Sequence, residues 1–184
     1  MDSDFPSLVS LACHDLRTPL ATVQGFAKTL VRRGDAEEQT ARWLQLIDGA
    51  ADELVVLLDQ LALAARIEDG RYEPVTREID SLELVRGALP EATGAGAPVR
   101  VDVDVTGRSL AALTRAAARH GGVEVSVHVR GPRVEVAPLT PEAAPVVLGE
   151  ELKDFGAAVA VRVLHALGGS VEAAGERLLV RLPA

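Results

Sequence analysis

The sequence predicts an α+β chain in two parts, an antiparallel helical hairpin followed by an α/β sandwich. Apolar residues recur at spacings of three and four across residues 5–33 and again across 36–67, the period of a helix face. Gly34-Asp35 breaks the pattern between the two stretches. Beyond Pro74 the period shortens to alternation, in brief runs separated by Gly and Pro.

The first helix carries Leu8, Leu11, Ala12, Leu16, Leu20, Val23, Ala27, Leu30 and Val31 as one stripe. Ser3 or Asp4 offers a cap, with Pro6 in the first turn. The second helix carries Leu44, Ile47, Ala51, Leu54, Leu58, Leu61 and Ala65, with Trp43 as a large apolar contact. Its acidic start (Asp35, Glu37, Glu38) suits the positive end of a helix dipole. A single hairpin leaves this apolar face open. Two copies cover it as a four-helix bundle, so a homodimer is expected. Glu68-Asp69-Gly70 closes the hairpin and divides the chain into domains of 1–68 and 69–184.

In the second domain, Tyr72 to Ile79 reads as a strand and Ser81 to Thr93 as a helix capped by Asp80 or Ser81. Gly94 to Pro98 forms a loop. Val99 to Val105 alternates apolar and charged residues as a half-buried strand. Ser109 to His120 is helical, stopped by Gly121-Gly122. Val123 to Val129 and Arg133 to Val136 make a hairpin about Gly131-Pro132. Gly156 to Leu167 is helical, and Ser170 to Leu182 supplies two strands about Gly175.

Composition narrows the function. The formal charge of −8, with no basic stripe, argues against nucleic acid as the main partner. Cys13 is the only cysteine, which excludes an intrachain disulfide and fits a reducing cytoplasm. Its expected role is that of a small, partly buried apolar residue. No run of about 18 apolar residues exists to span a membrane, and the acidic N-terminus, lacking a basic n-region, is not expected to act as a signal peptide. Thirteen residues precede His14, so the chain is expected to sense little by itself. His120, His128 and His165 lack metal-ligand spacing.

The chemistry concentrates in His14-Asp15-Leu16-Arg17-Thr18-Pro19-Leu20. His14 and Thr18, four apart, share a helix face. An imidazole titrating near neutrality is a nucleophile, and the adjacent carboxylate can take the proton of one ring nitrogen. Thr18 can orient water for the reverse, hydrolytic reaction, and Arg17 can meet phosphate oxygens. Pro19 removes a backbone N–H just past the site.

This box resembles the phosphoacceptor box of bacterial sensor histidine kinases. The order of elements behind it resembles their ATP-binding domain, of the gyrase and Hsp90 type. Glu68-Asp69-Gly70, Gly168-Gly169 and Leu182-Pro183 match the family pattern. The nucleotide elements depart from it. Ala116 stands where the family has the Asn that helps hold Mg²⁺. Pro138 to Glu142 stands where Asp-x-Gly-x-Gly reads adenine. Leu152-Lys153-Asp154-Phe155-Gly156 stands where a glycine-rich turn meets phosphate, and Asp154 there would repel it.

The resemblance therefore implies a histidine phosphotransferase with a degenerate ATP-binding-like domain. Such a protein passes phosphate between receiver-domain aspartates through His14, with Asp15 and Thr18 as catalytic partners. It needs no cofactor of its own, because the receiver supplies Mg²⁺. The response-regulator receiver is expected on the face of Arg17, Ala21, Gly25 and Lys28. The alternatives are a binding-only pseudokinase, a phosphatase acting on a receiver, and a diverged active kinase.

Overall fold

A computed structural model describes residues 5–33 and 37–183. The caps expected at Ser3 or Asp4 and the break at Gly34-Asp35 lie outside them. Two helices open the chain, α1 (Phe5–Arg33) and α2 (Glu37–Glu68). Then follow β1 (Arg77–Asp80), α3 (Ser81–Ala88), β2 (Thr93–Ala95), β3 (Pro98–Val101) and α4 (Val103–Gly121). The chain ends with β4 (Ser126–Arg130), β5 (Arg133–Ala137), α5 (Ala144–Val147), α6 (Phe155–Ala166), β6 (Ser170–Ala173) and β7 (Leu178–Arg181). It divides into two compact units, Met1–Ala62 and Leu63–Ala184.

In the first unit Leu8, Ala12, Pro19 and Ala50 are buried. Leu16, Ile47, Leu54 and Leu61 are half-buried. Leu20, Leu44, Leu46, Val55, Val56 and Leu58 are exposed, Leu58 by 53%. The stripe read from the sequence is thus only partly covered within one chain.

The second unit holds a five-stranded sheet in the order β2-β4-β5-β7-β6 and a separate antiparallel pair, β1-β3. Only β2 runs parallel to its neighbour; the other pairings of the larger sheet are antiparallel. Along β4 and β5 the buried residues alternate, Val127 and Val129 on one, Val134 and Val136 on the other. Leu178 and Val180 continue that inner face on β7. Helix α4 packs against α6 and α3. Ala112, Ala116, Ala157 and Ala160 are buried among larger aliphatics, and such small side chains let helices approach closely. This gives a two-layer sandwich with one face of its sheet toward solvent.

Four elements differ from expectation. Val103 to Val105 form the first turn of α4, not the end of a strand. Asp102 caps that turn by accepting from the Val105 amide, and Val103, Thr106, Leu110, Leu113 and Ala117 follow at helical spacing. Tyr72 to Thr76 form no strand, since Pro74 cannot supply a ladder donor. Helix α3 ends at Ala88, ahead of Pro90, and Thr93–Ala95 instead joins the sheet beside β4. Gly94 makes this possible. Its φ is 118°, and a Cβ there would collide with the Val129 carbonyl. The short α5 has no counterpart in the sequence pattern. Of the two candidate caps for α3, Asp80 serves, accepting from the Leu82 and Glu83 amides. Ser81 is buried and ties the helix to the β4–β5 turn, its Oγ donating to the Gly131 carbonyl at 2.6 Å.

The segment after α2 is fastened to this unit. Glu68 accepts from Arg162 Nε of α6 at 3.2 Å, and the Val75 amide donates to Asp102 Oδ2 at 3.3 Å. Tyr72 lies in the same stretch, its hydroxyl buried without a hydrogen-bond partner. Burial pushes the phenol above its ordinary pKa, and the Asp102 charge adds to the rise. A raised phenol keeps its full contribution to stability below pH about 10 and loses it as pH climbs through the folded-state value. Tyr72 is the chain's single tyrosine, so tyrosinate absorbance reads it alone. That absorbance is expected to titrate later in the folded protein than in urea. Tyr72→Phe should flatten the alkaline fall in stability and change the stability measured by urea unfolding at pH 7 by about 1 kcal/mol or less. A titration identical in folded and unfolded protein would contradict this.

Candidate phosphoacceptor site

Helix α1 sets the site. Leu8, Ala12 and Pro19 are buried along one face. At about 100° per residue, His14 falls roughly a third of a turn from that face, with Thr18, Ala21 and Gly25 in the same arc. The His14 side chain is 76% exposed. Its Nδ1 lies 3.2 Å from Asp15 Oδ1. An ionised carboxylate only accepts, so this contact places a proton on Nδ1, and Nε2 makes no hydrogen bond among the described residues. Pro19 lies inside the helix, where its missing N–H leaves the Asp15 carbonyl without its usual partner.

One turn on from His14 an open groove of about 630 Å³ begins, lined by Arg17, Thr18, Ala21, Thr22, Gly25, Phe26 and Thr29. Four residues singled out from the sequence, Arg17, Thr18, Ala21 and Gly25, therefore come together here. Lys28 is exposed but not part of the lining. Thr22, Phe26 and Thr29 are additions that the sequence pattern alone did not single out. Their signal was present, because 18, 22, 25 and 29 keep the helical spacing. Thr22 and Thr29 turn their hydroxyls onto the Thr18 and Gly25 carbonyls, at 3.2 and 2.8 Å. Their methyl groups are then left to the groove. Nothing lies within 4 Å of where a Gly25 Cβ would sit, so its small size leaves open space. Cys13 is exposed, against the expectation of a partly buried role; it follows the buried Ala12, and the next 100° of helix turns it outward.

The second unit shows what surrounds Ala116, Pro138 to Glu142 and Asp154, the positions that the resemblance set against nucleotide-binding elements. Ala116 is fully buried between the helices and the sheet. Pro138 to Glu142 lead from β5 to α5, with Leu139 buried and its amide donating to the Glu176 carbonyl at 2.8 Å. Asp154 is the N-cap of α6 and is 9% exposed. Its Oδ1 accepts from the Ala157 amide at 2.9 Å. Its Oδ2 meets Arg119 Nη1 at 3.3 Å and His120 Nε2 at 3.4 Å, both from the last turn of α4. The carboxylate thus sits at the helix end where an anion would bind, together with the nearest cationic groups. His120, read as ordinary from the sequence, is a partner of that carboxylate. His128 pairs with Thr93 Oγ1 at 3.1 Å, and His165 is exposed. Among the described residues no group of three or more His, Cys, Asp or Glu could hold a metal ion. None of their helices is long and apolar enough to cross a membrane.

Residues 7–70 match the family model of the His Kinase A (phospho-acceptor) domain. The probable sensor histidine kinase TcrY of Mycobacterium tuberculosis is 34% identical over 89 residues, 48% of this chain and 18% of that protein. The sensor histidine kinase TrcS of the same organism is 34% identical over 95 residues, 50% of this chain and again 18% of the relative. The matched part therefore spans under a fifth of these relatives. Among solved structures, the Acinetobacter baumannii histidine kinase AdeS superposes with a TM-score of 0.69 at 17% identity, covering 92% of this chain and 97% of that one. Full-length ShkA in complex with AMPPNP gives 0.58 at 21% identity, over 97% of this chain and 45% of that one. At such identities the superpositions speak to fold alone. The hairpin that carries the exposed His14 is thus similar over residues 7–70 to a His Kinase A (phospho-acceptor) domain, and the fold, a helical hairpin followed by an α/β sheet domain, matches that of the solved histidine kinases.

Proposed function

We propose that this chain is a histidine phosphotransferase, exchanging phosphate with receiver-domain aspartates through His14 and without ATP. One observation supports this above the others, an exposed imidazole whose Nδ1 lies against the Asp15 carboxylate while Nε2 has no hydrogen-bond partner among the described residues. In the transfer step, Nε2 attacks phosphorus in line. The N–P bond forms as the P–O bond to the receiver aspartate breaks, and that carboxylate leaves with the electron pair. Asp15 stabilises the resulting imidazolium by accepting from Nδ1–H. Transfer to a second receiver reverses each step. An acyl phosphate supplies its own driving force, and the receiver brings Mg²⁺ in its acidic pocket. The small residues Ala21 and Gly25, with Arg17 at the edge, make the groove a docking surface for a receiver helix in the cytoplasm. Lys28 adds a cation beside it.

Independence from ATP is supported by the second unit. Ala116 has no metal-binding atom, and Asp154 fills the α6 terminus with a paired carboxylate. The exposed Leu58 and its neighbours support a homodimer that covers them with a second hairpin. A phosphatase reading draws on Thr18, one turn from His14 and beside the groove, where a hydroxyl can position water on a receiver phosphoaspartate.

Incubation with a phosphorylated receiver tests the main reading. Acid-labile phosphate is expected on His14, and His14→Ala should abolish it. Asp15→Ala should slow transfer by about 10²-fold. Acid-labile phosphate on the His14→Ala protein would sink the assignment. Thr18→Ala should spare transfer while lengthening the life of the receiver phosphate.

Calorimetry with Mg²⁺ and a non-hydrolysable ATP analogue is expected to show no binding, and micromolar affinity would contradict ATP independence. In sedimentation the protein should run as a dimer at micromolar concentration. Replacing Leu54 and Leu58 by Asp should yield monomers, since each buried charge costs several kcal/mol.

A further inference from the structure

The solvent face of the five-stranded sheet carries an arrangement that the phosphoacceptor chemistry does not use. Arg130 on β4 lies opposite Arg133 on β5, and Arg133 lies opposite Arg181 on β7. Three arginines therefore form one lateral row across three neighbouring strands, continued by Ser170 on β6. All three are exposed, while Val129, Val134 and Val180 beside them point into the core. With strands about 4.8 Å apart, the row spans roughly 10 Å.

Like charges directly opposite one another on a sheet repel. The next row supplies two carboxylates, Glu135 and Glu172, of which Glu135 stands on the central strand. Glu135 is already engaged by Arg130 Nε at 3.6 Å and by Arg177 Nη1 at 3.2 Å. Arg133 and Arg181 enter no ion pair among the described residues. In a chain of net charge −8, this is a local concentration of unpaired positive charge whose spacing is set by strand register and not by side-chain chance.

The geometry points to this arginine row as a docking site for a short acidic segment of a partner protein. Each guanidinium offers a fork that matches a carboxylate bidentately. Successive carboxylates on one helix face stand about 5–6 Å apart, close to the strand spacing. The surface is flat, so a small anion would keep most of its water there. Glu135 and Glu172 stand in the adjacent row, across Leu179. Together with the net charge, they oppose a long polyanion such as nucleic acid while tolerating a segment confined to the row.

Hexaglutamate is the probe, with inorganic pyrophosphate and a thymidine oligonucleotide as competing anion classes. Hexaglutamate is expected to raise the melting temperature of the full chain at low ionic strength, and salt should cancel the rise. The doubly substituted Arg133→Gln, Arg181→Gln protein, confirmed as folded by circular dichroism, should bind hexaglutamate at least about 10-fold more weakly. The double Lys variant should fall between, because it keeps charge but not the fork. Arg115→Gln, on exposed α4 surface, should leave binding unchanged. The proposal is overturned if hexaglutamate has no effect or if wild type and double Gln variant respond alike. A larger response to pyrophosphate or to the oligonucleotide would overturn it as well.

Discussion

The rotation of α1 about its own axis governs everything that His14 can do. Burial of Leu8, Ala12 and Pro19 pins one face of the helix. With that face fixed, the helical period carries His14 outward and lines up Thr18, Ala21 and Gly25 behind it. A one-residue change of phase would turn the imidazole through roughly 100° toward the covered side. Asp15, one residue on, sits closer to the buried face and is half covered, yet its carboxylate still reaches back to Nδ1. The His14 imidazole is therefore oriented by a residue whose own position follows from the same packing.

The second unit uses a comparable economy of position. Asp154 caps α6 and gathers Arg119 and His120 from the end of α4. One carboxylate satisfies a helix terminus and joins the two helices that form the layer above the sheet. Arg119, in the last turn of α4, also lies where a helix C-terminus favours cations. The N-terminus of α6 is thus an internal joint between helices.

Charge on this chain is distributed unevenly in a way that net composition hides. The formal charge of −8 suggests a uniformly acidic surface. The sheet instead concentrates Arg130, Arg133 and Arg181 in one row, because strands far apart in sequence are brought into register. Carboxylates in the neighbouring row are fewer than the arginines they face. Backbone pairing forces these side chains together, and electrostatics must accommodate the result.

The sequence by itself determined the helical hairpin, the α+β class and the juxtaposition of His14, Asp15 and Thr18, because each is encoded in local periodicity and adjacent residues. His14, Asp15 and Thr18 need only a helix to relate them. The β4–β5 hairpin about Gly131-Pro132 and the Gly122 stop of α4 were legible for the same reason. Where alternation and helical spacing overlapped, as at Val101, Val103 and Val105, local pattern was ambiguous and the Asp102 cap decided for helix. The short β2 was hidden, since three residues around a glycine carry no period, and only pairing with β4 makes them a strand. Only the tertiary structure joined Asp154 to Arg119 and His120, and Arg133 to Arg181. Those partners are separated by more than thirty positions, and no local propensity records which residues the sheet and the helix layer bring face to face.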